Sequence, residues 1–142
     1  MAEHEAAAPP VRALSTDDRA AIDDLLAAYV LLLDVDDIDA AANLFVENGE
    51  FHTYGRAFVG RDRVRRMFEV APKGLHLAGR SLIAPSPDGA TVRQQLVFYP
   101  ADGSAHRLAI YDDDVVRVGD RWLFRSRQCR FMIGDGTLQS RP

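Results

Sequence analysis

The sequence predicts an α+β protein in which three helices precede an antiparallel sheet. Two observations carry this. Over most of residues 15–70 apolar side chains recur at the helical period of about 3.6, whereas beyond Gly74 the period falls to about 2. Turn-forming clusters then cut the second half into strand-length pieces. Helices grouped ahead of an antiparallel meander define the α+β class.

The first helix opens at Ser15 or Thr16, either of which caps it, and Asp17 and Asp18 suit the positive end of the helix dipole. Ile22, Leu25, Leu26, Tyr29, Val30 and Leu33 form its apolar stripe, and it is expected to end near Asp34. Asp36 or Asp37 caps a shorter second helix with Ile38, Ala41, Ala42, Leu44 and Phe45 on its apolar face, stopped by Asn48-Gly49. Glu50 to Tyr54 reads as a short strand ended by Gly55. Gly60-Arg61-Asp62 opens a third helix with Val64, Met67, Phe68 and Val70 inward, closed by Pro72-Lys73-Gly74. Four strands follow, at about 75–84, 90–99, 105–118 and 121–133. The segments Pro85 to Gly89 and Ala101-Asp102-Gly103 are turn-forming loops, and Gly119-Asp120 forms a tight hairpin.

At 142 residues the chain has the length of one domain, assigned to 15–133 between tails at 1–14 and 134–142. A domain of this size buries enough surface for both a core and an internal pocket. Hydrophobic residues make up 47% and charged residues 27%, which is a globular composition. A net charge of −4 argues against a nucleic-acid partner. Cys129 is the single cysteine, so an internal disulfide is impossible and a reducing, cytoplasmic setting is expected. The longest apolar run, Leu25 to Leu33, is far short of the roughly 20 residues that cross a membrane, and no membrane partner is expected. The first ten residues lack a basic start and an apolar stretch, so no secretory leader is expected; His4 lies there. The four histidines are scattered without metal-ligand spacing, and the Asp34/Asp36/Asp37/Asp39 run lacks EF-hand spacing. No phosphate loop or serine elbow appears. No metal or other cofactor is expected.

Three stretches carry a resemblance. Tyr29-Val-Leu-Leu-Leu-Asp34 leads through Asp37-Ile-Asp-Ala to Leu44-Phe45; Gly60-Arg61-Asp62 follows; and Tyr111-x-Asp113 leads to Trp122-x-Phe124-x-x-Arg127. In this order and spacing they resemble the SnoaL-like proteins of the nuclear transport factor 2-like superfamily, over about residues 16–130. That resemblance implies a cone in which a curved sheet wraps an apolar cavity under the first helix. It also implies a homodimer formed through the sheet. The superfamily includes dehydratases, a dehydrochlorinase, ketosteroid isomerases, epoxide hydrolases, polyketide cyclases and non-catalytic binders, so the substrate stays open.

Read from the residues alone, Asp34 is a solvated helix-end carboxylate and His76 a half-exposed strand residue. The resemblance makes them a catalytic dyad, as in SnoaL-like dehydratases and the hexachlorocyclohexane dehydrochlorinase. A neutral histidine can take a proton near neutral pH, and a carboxylate on its other nitrogen fixes the tautomer and stabilises the imidazolium. Tyr29 is either a core tyrosine or a hydrogen-bond donor to a substrate oxygen. Arg127 is either a pocket cation or, by strand parity with Arg121 and Arg125, part of a solvated stripe. His106 shares a face with Leu108, Ile110, Asp112 and Asp114, and contacts substrate only if that face lines the cavity. Asp114 sits where the resemblance to ketosteroid isomerases implies a protonated acid, with a solvated carboxylate as the rival reading. Thr53 stands where those isomerases carry their general base and cannot take the proton; His52 should point to the opposite face. Thr53 and Phe45 are counted with His106 and Asp114 as substrate-contacting residues. Arg80 departs from the asparagine common in related sequences.

The expected activity is that of a cofactor-independent, dehydratase-like lyase. It would act on a small hydrophobic cyclic molecule of polyketide, steroid or terpenoid type through His76 and Asp34. A cyclase or isomerase using the same pocket, and a non-catalytic binder of hydrophobic ligands, are the alternatives.

Overall fold

The computed structural model describes residues 11–134 and 137–139; His4 and most of the two expected tails lie outside them. Helix α1 (Thr16–Asp34) is capped by Ser15, whose hydroxyl accepts from the Asp18 N–H at 3.0 Å while Asp18 accepts from the Ser15 N–H at 3.0 Å. Ile22, Leu25, Leu26, Tyr29 and Val30 are buried, as the stripe requires. At its end Asp36 takes a left-handed conformation (φ 62°), and Asp37 caps α2 (Ile38–Ala42). Helix α3 (Arg61–Val70) buries Val64 and Phe68, and Met67 packs partly against the core. Val70, expected inward, is 83% exposed because it falls beyond the last buried turn.

Six strands form one sheet: β1 (Phe45–Thr53), β2 (Arg56–Val59), β3 (Gly74–Ser86), β4 (Gly89–Pro100), β5 (Arg107–Val118) and β6 (Arg121–Phe131). Their order is β2-β1-β6-β5-β4-β3. All neighbours run antiparallel except β1 and β6, so the sheet is mixed rather than wholly antiparallel. The class is α+β as expected. One face of the sheet meets α1, and the core lies between them: Leu96, Ala109, Tyr111, Val115 and Phe124 pack with the α1 stripe.

Three expectations change in detail. Leu44 and Phe45 do not continue α2, and Asn48-Gly49 does not stop it. The Leu44 carbonyl accepts from Phe124 N–H at 2.8 Å and the Phe45 carbonyl from the Arg61 guanidinium at 2.7 Å, so pairing with β6 captures this segment as strand. Gly55 does not end the sheet but turns it. Tyr54 (φ 50°) and Gly55 (φ 71°) make a two-residue hairpin turn with both centres left-handed, which adds β2. At the far end, Leu138 bridges Met132, and Gln139 N–H donates to the Phe131 carbonyl at 2.9 Å, so residues 137–139 fold back on β6. Among the described residues no helix is long and apolar enough to cross a membrane.

Candidate active site

The site begins at the end of α1. The tight α1–α2 turn, held by Asp37 N–H on the Leu32 carbonyl at 2.8 Å and by Asp36 on Lys73 at 2.7 Å, fixes Asp34 as the last helical residue. Opposite it, β3 starts at Gly74, where a Cβ would lie 2.1 Å from the Tyr99 carbonyl oxygen; only glycine lets β3 close on β4 there. Two residues on, His76 meets Asp34. The His76 N–H donates to both carboxylate oxygens, at 3.0 and 3.2 Å, and Nδ1 lies 2.6 Å from Oδ1. A ring N–H donated to a carboxylate leaves Nε2 with the free lone pair. Burial lowers the His76 pKa below its ordinary value, Asp34 opposes the shift, and the Arg127 charge adds to it. The imidazole is therefore neutral at neutral pH, the form a general base needs.

His76 opens on an apolar cavity of about 120 Å³, whose wall includes Tyr29, Phe51, Phe68, Leu96, Phe98 and Tyr111. Thr53 also lines it. His52 faces the other way, its Nε2 at 3.2 Å from Glu50, as alternation requires. Burial raises the phenol pKa values of Tyr29 and Tyr111. Both hydroxyls stay protonated, and because the two phenols interact with each other, one O–H of the pair remains to donate into the cavity.

Arg127 lies behind this wall. It is fully buried, its guanidinium 3.6 Å from the Tyr111 ring centroid, 4.2 Å from Tyr29 and 4.7 Å from Phe124. Parity with Arg125 fails because of a β-bulge. Ser126 pairs with Asp114 and Phe124 with Val115, so Arg125 is the extra residue and Arg127 turns inward. Its Nε lies 3.1 Å from Asp113, and Nη2 donates to Gln94 Oε1 at 3.4 Å. Burial pushes the Asp113 carboxyl up to about 7, against the Arg127 charge.

Other expected residues fall elsewhere. His106 is exposed, its ring 5.9 Å from Tyr99, and its face of β5 is the outer one. Asp114 lies on that same outer face, bonded to Arg125 at 2.7 Å; the buried acid of the run is Asp113. Inner-face alternation of Ala109, Tyr111, Asp113 and Val115 was the signal for it. Phe45 is a core residue packed on Tyr29, Phe68 and Phe124 rather than cavity wall. Arg80 is exposed, beside a register shift in β3. Among the described residues no group of three His, Cys, Asp or Glu side chains could hold a metal ion.

Residues 15–128 match the family model of the SnoaL-like domain. The chain belongs to the SnoaL-like family. No curated protein matches the chain. Solved structures share the SnoaL-like architecture. A Mycobacterium tuberculosis protein of unknown function is 24% identical, with a TM-score of 0.76 over 82% of this chain and 77% of that one. An NTF2-like protein with a cystatin-like fold from Novosphingobium aromaticivorans is 23% identical, with a TM-score of 0.75 over 83% and 84%. A type 2 hexachlorocyclohexane dehydrochlorinase is 16% identical, with a TM-score of 0.72 over 89% and 94%. At these identities the likeness is one of fold.

Proposed function

We propose that this SnoaL-like protein is a cofactor-independent, dehydratase-like lyase acting on a small hydrophobic cyclic molecule. The observation that carries the reading is the 2.6 Å contact between His76 Nδ1 and Asp34, with the imidazole opening on an apolar cavity. His76 Nε2 takes a proton from a carbon next to a carbonyl, adjacent to the carbon that bears the leaving group. The C–H electron pair becomes the new double bond as the bond to the leaving group breaks, and a departing hydroxide takes the proton back from the His76 imidazolium to leave as water. Asp34 stabilises the imidazolium between the two proton transfers. Tyr29 donates to the oxygen on which negative charge develops, with the Arg127 cation stacked behind it. The fold shared with a dehydrochlorinase, an eliminating enzyme, supports the choice of elimination.

The test is turnover on substrates found by screening cyclic ketones and alcohols. His76→Ala should lose at least about 10²-fold, the scale of a positioned general base. Ligand affinity should change much less, because the dyad acts in the transition state. Full activity in His76→Ala would end the reading and favour a hydrophobic-ligand binder.

A further inference from the structure

The cavity holds a second chemical feature at its mouth. His76 on β3 pairs with Phe98 on β4, and Phe98 pairs with Arg107 on β5. Residues paired across adjacent strands project from the same face of the sheet, and all three line the cavity. The Phe98 ring lies between them, its centroid 4.6 Å from that of His76. Strands lie about 4.8 Å apart, so two steps separate the His76 and Arg107 backbones by roughly 10 Å.

Arg107 is a cation with spare valence. It is partly buried, and its guanidinium makes one hydrogen bond, Nη1 to Tyr54 Oη at 3.2 Å. Among the described residues no carboxylate pairs with it within ion-pair distance, although, after the hydrogen bonds from Ser104, its charge helps to lower the pKa of Asp102 in the β4–β5 loop. That bond, together with the stacking of Tyr54 on Phe131 at 4.9 Å, holds the arginine at the rim. Lys73 is a second cation in the wall, shared with Asp36. No Asp or Glu is among the residues that line the cavity, although the chain as a whole carries −4. An apolar cavity of about 150 Å³ accommodates benzene, so one of about 120 Å³ takes a single ring at most.

We infer that the ligand of this cavity is a monocyclic carboxylic acid, its ring against Phe98 and its carboxylate on Arg107 at the rim. The inference rests on the acid–base reading for the role of His76 and adds the substrate class. A ligand ring laid over the Phe98 face reaches the base on one side and the guanidinium on the other, because roughly 10 Å separates the two backbones. A planar, forked guanidinium is suited to a carboxylate.

The experiment measures binding of benzoate, cyclohexanecarboxylate and their methyl esters by calorimetry, and follows the His76 ring resonances by NMR. In the native protein each acid should bind at least about tenfold tighter than its ester, as a charge-assisted contact warrants. Arg107→Gln should abolish that preference by weakening the acids about tenfold more than the esters. Arg107→Lys, which keeps the charge, should retain part of it. Equal affinity of acid and ester in the native protein, or an undiminished preference in Arg107→Gln, overturns the inference. Neither result touches the acid–base reading, which turnover in His76→Ala decides. Silence of the His76 resonances with all four ligands would place no ring beside His76 and overturn the inference as well.

Discussion

Replacing Asp34 by Asn separates a catalytic carboxylate from a helix-end one. In the native geometry Oδ1 faces Nδ1 at 2.6 Å, and both oxygens face the His76 N–H, at 3.0 and 3.2 Å. An asparagine has one acceptor for these donors. With its oxygen toward Nδ1, its NH2 points at the His76 N–H, donor against donor. With the amide reversed, Nδ1 must become an acceptor, the ring proton moves to Nε2, and the base is lost. Either arrangement should lower the plateau of kcat/KM by about 10²–10⁴, the range of general-base catalysis. The pH profile adds a sign. Burial already lowers the His76 pKa and Asp34 opposes it, so without the carboxylate the pKa falls further. The limb on which activity is lost with falling pH should move to lower pH while the plateau drops. A purely structural role would scale the profile without moving the limb. The assay is kcat/KM across pH, with His76 titrated by NMR in the same variant. A limb that moves upward, or a plateau within a few-fold of native, would refute the reasoning.

The dyad should also act as one unit: His76→Ala combined with Asp34→Asn should lose little more than the worse single variant, and additive losses in turnover would count against it. The raised Asp113 makes a stability prediction. Its folded value of about 7 lies above the ordinary 3.8, so its contribution is complete below about pH 4 and is lost as pH rises through 7. Asp113→Asn should remove that slope, read from denaturation midpoints at pH 5 and pH 8; equal slopes in both proteins would mean that Arg127 keeps the carboxylate ionised. Gly74→Ala places a Cβ where the Tyr99 carbonyl sits and should destabilise by about 1–3 kcal/mol, measured by urea unfolding, as overpacking does. An unchanged midpoint would show that β3 can move away from β4 freely.

The helices were legible because their signals are local. Ser15, the α1 stripe and Asp37 act within a few residues, and the structure follows them. Strand periodicity was legible too, but it breaks at register shifts, which depend on a partner strand that sequence does not reveal. The bulge at Arg125 sends Arg127 inward against its parity with Arg121 and Arg125, and the shift between Phe45 and Glu50 converts an expected helix end into β1. His106 and Asp114 share a face, as alternation predicts; which face meets α1 is not encoded in alternation. Asp113 and Gln94 escaped for a related reason: a polar residue on an inner face looks like a polar residue on an outer one until the tertiary packing is known. Arg107 has the inner-face parity of β5, one residue on from the outer-facing His106, and alternation alone does not mark which of the two meets the cavity.

The buried charges explain why such a site can be both apolar and reactive. Arg127 could not sit behind an apolar cavity alone, because an unpaired buried cation costs several kcal/mol. Asp113 at 3.1 Å and Gln94 give it polar partners, and the faces of Tyr29, Tyr111 and Phe124 surround it. The cation is then retained where it disfavours a protonated His76 in the resting protein and favours negative charge on a bound ligand. In the proposed reaction both effects point forward. Proton transfer creates an imidazolium next to Asp34 and an anion next to Tyr29. The new positive charge is met by a carboxylate already hydrogen-bonded to the ring, and the new negative charge by a hydroxyl with a guanidinium 4.2 Å behind its ring. Neither partner has to be brought in from water at the moment of reaction, and that is the condition under which electrostatic preorganisation lowers a barrier.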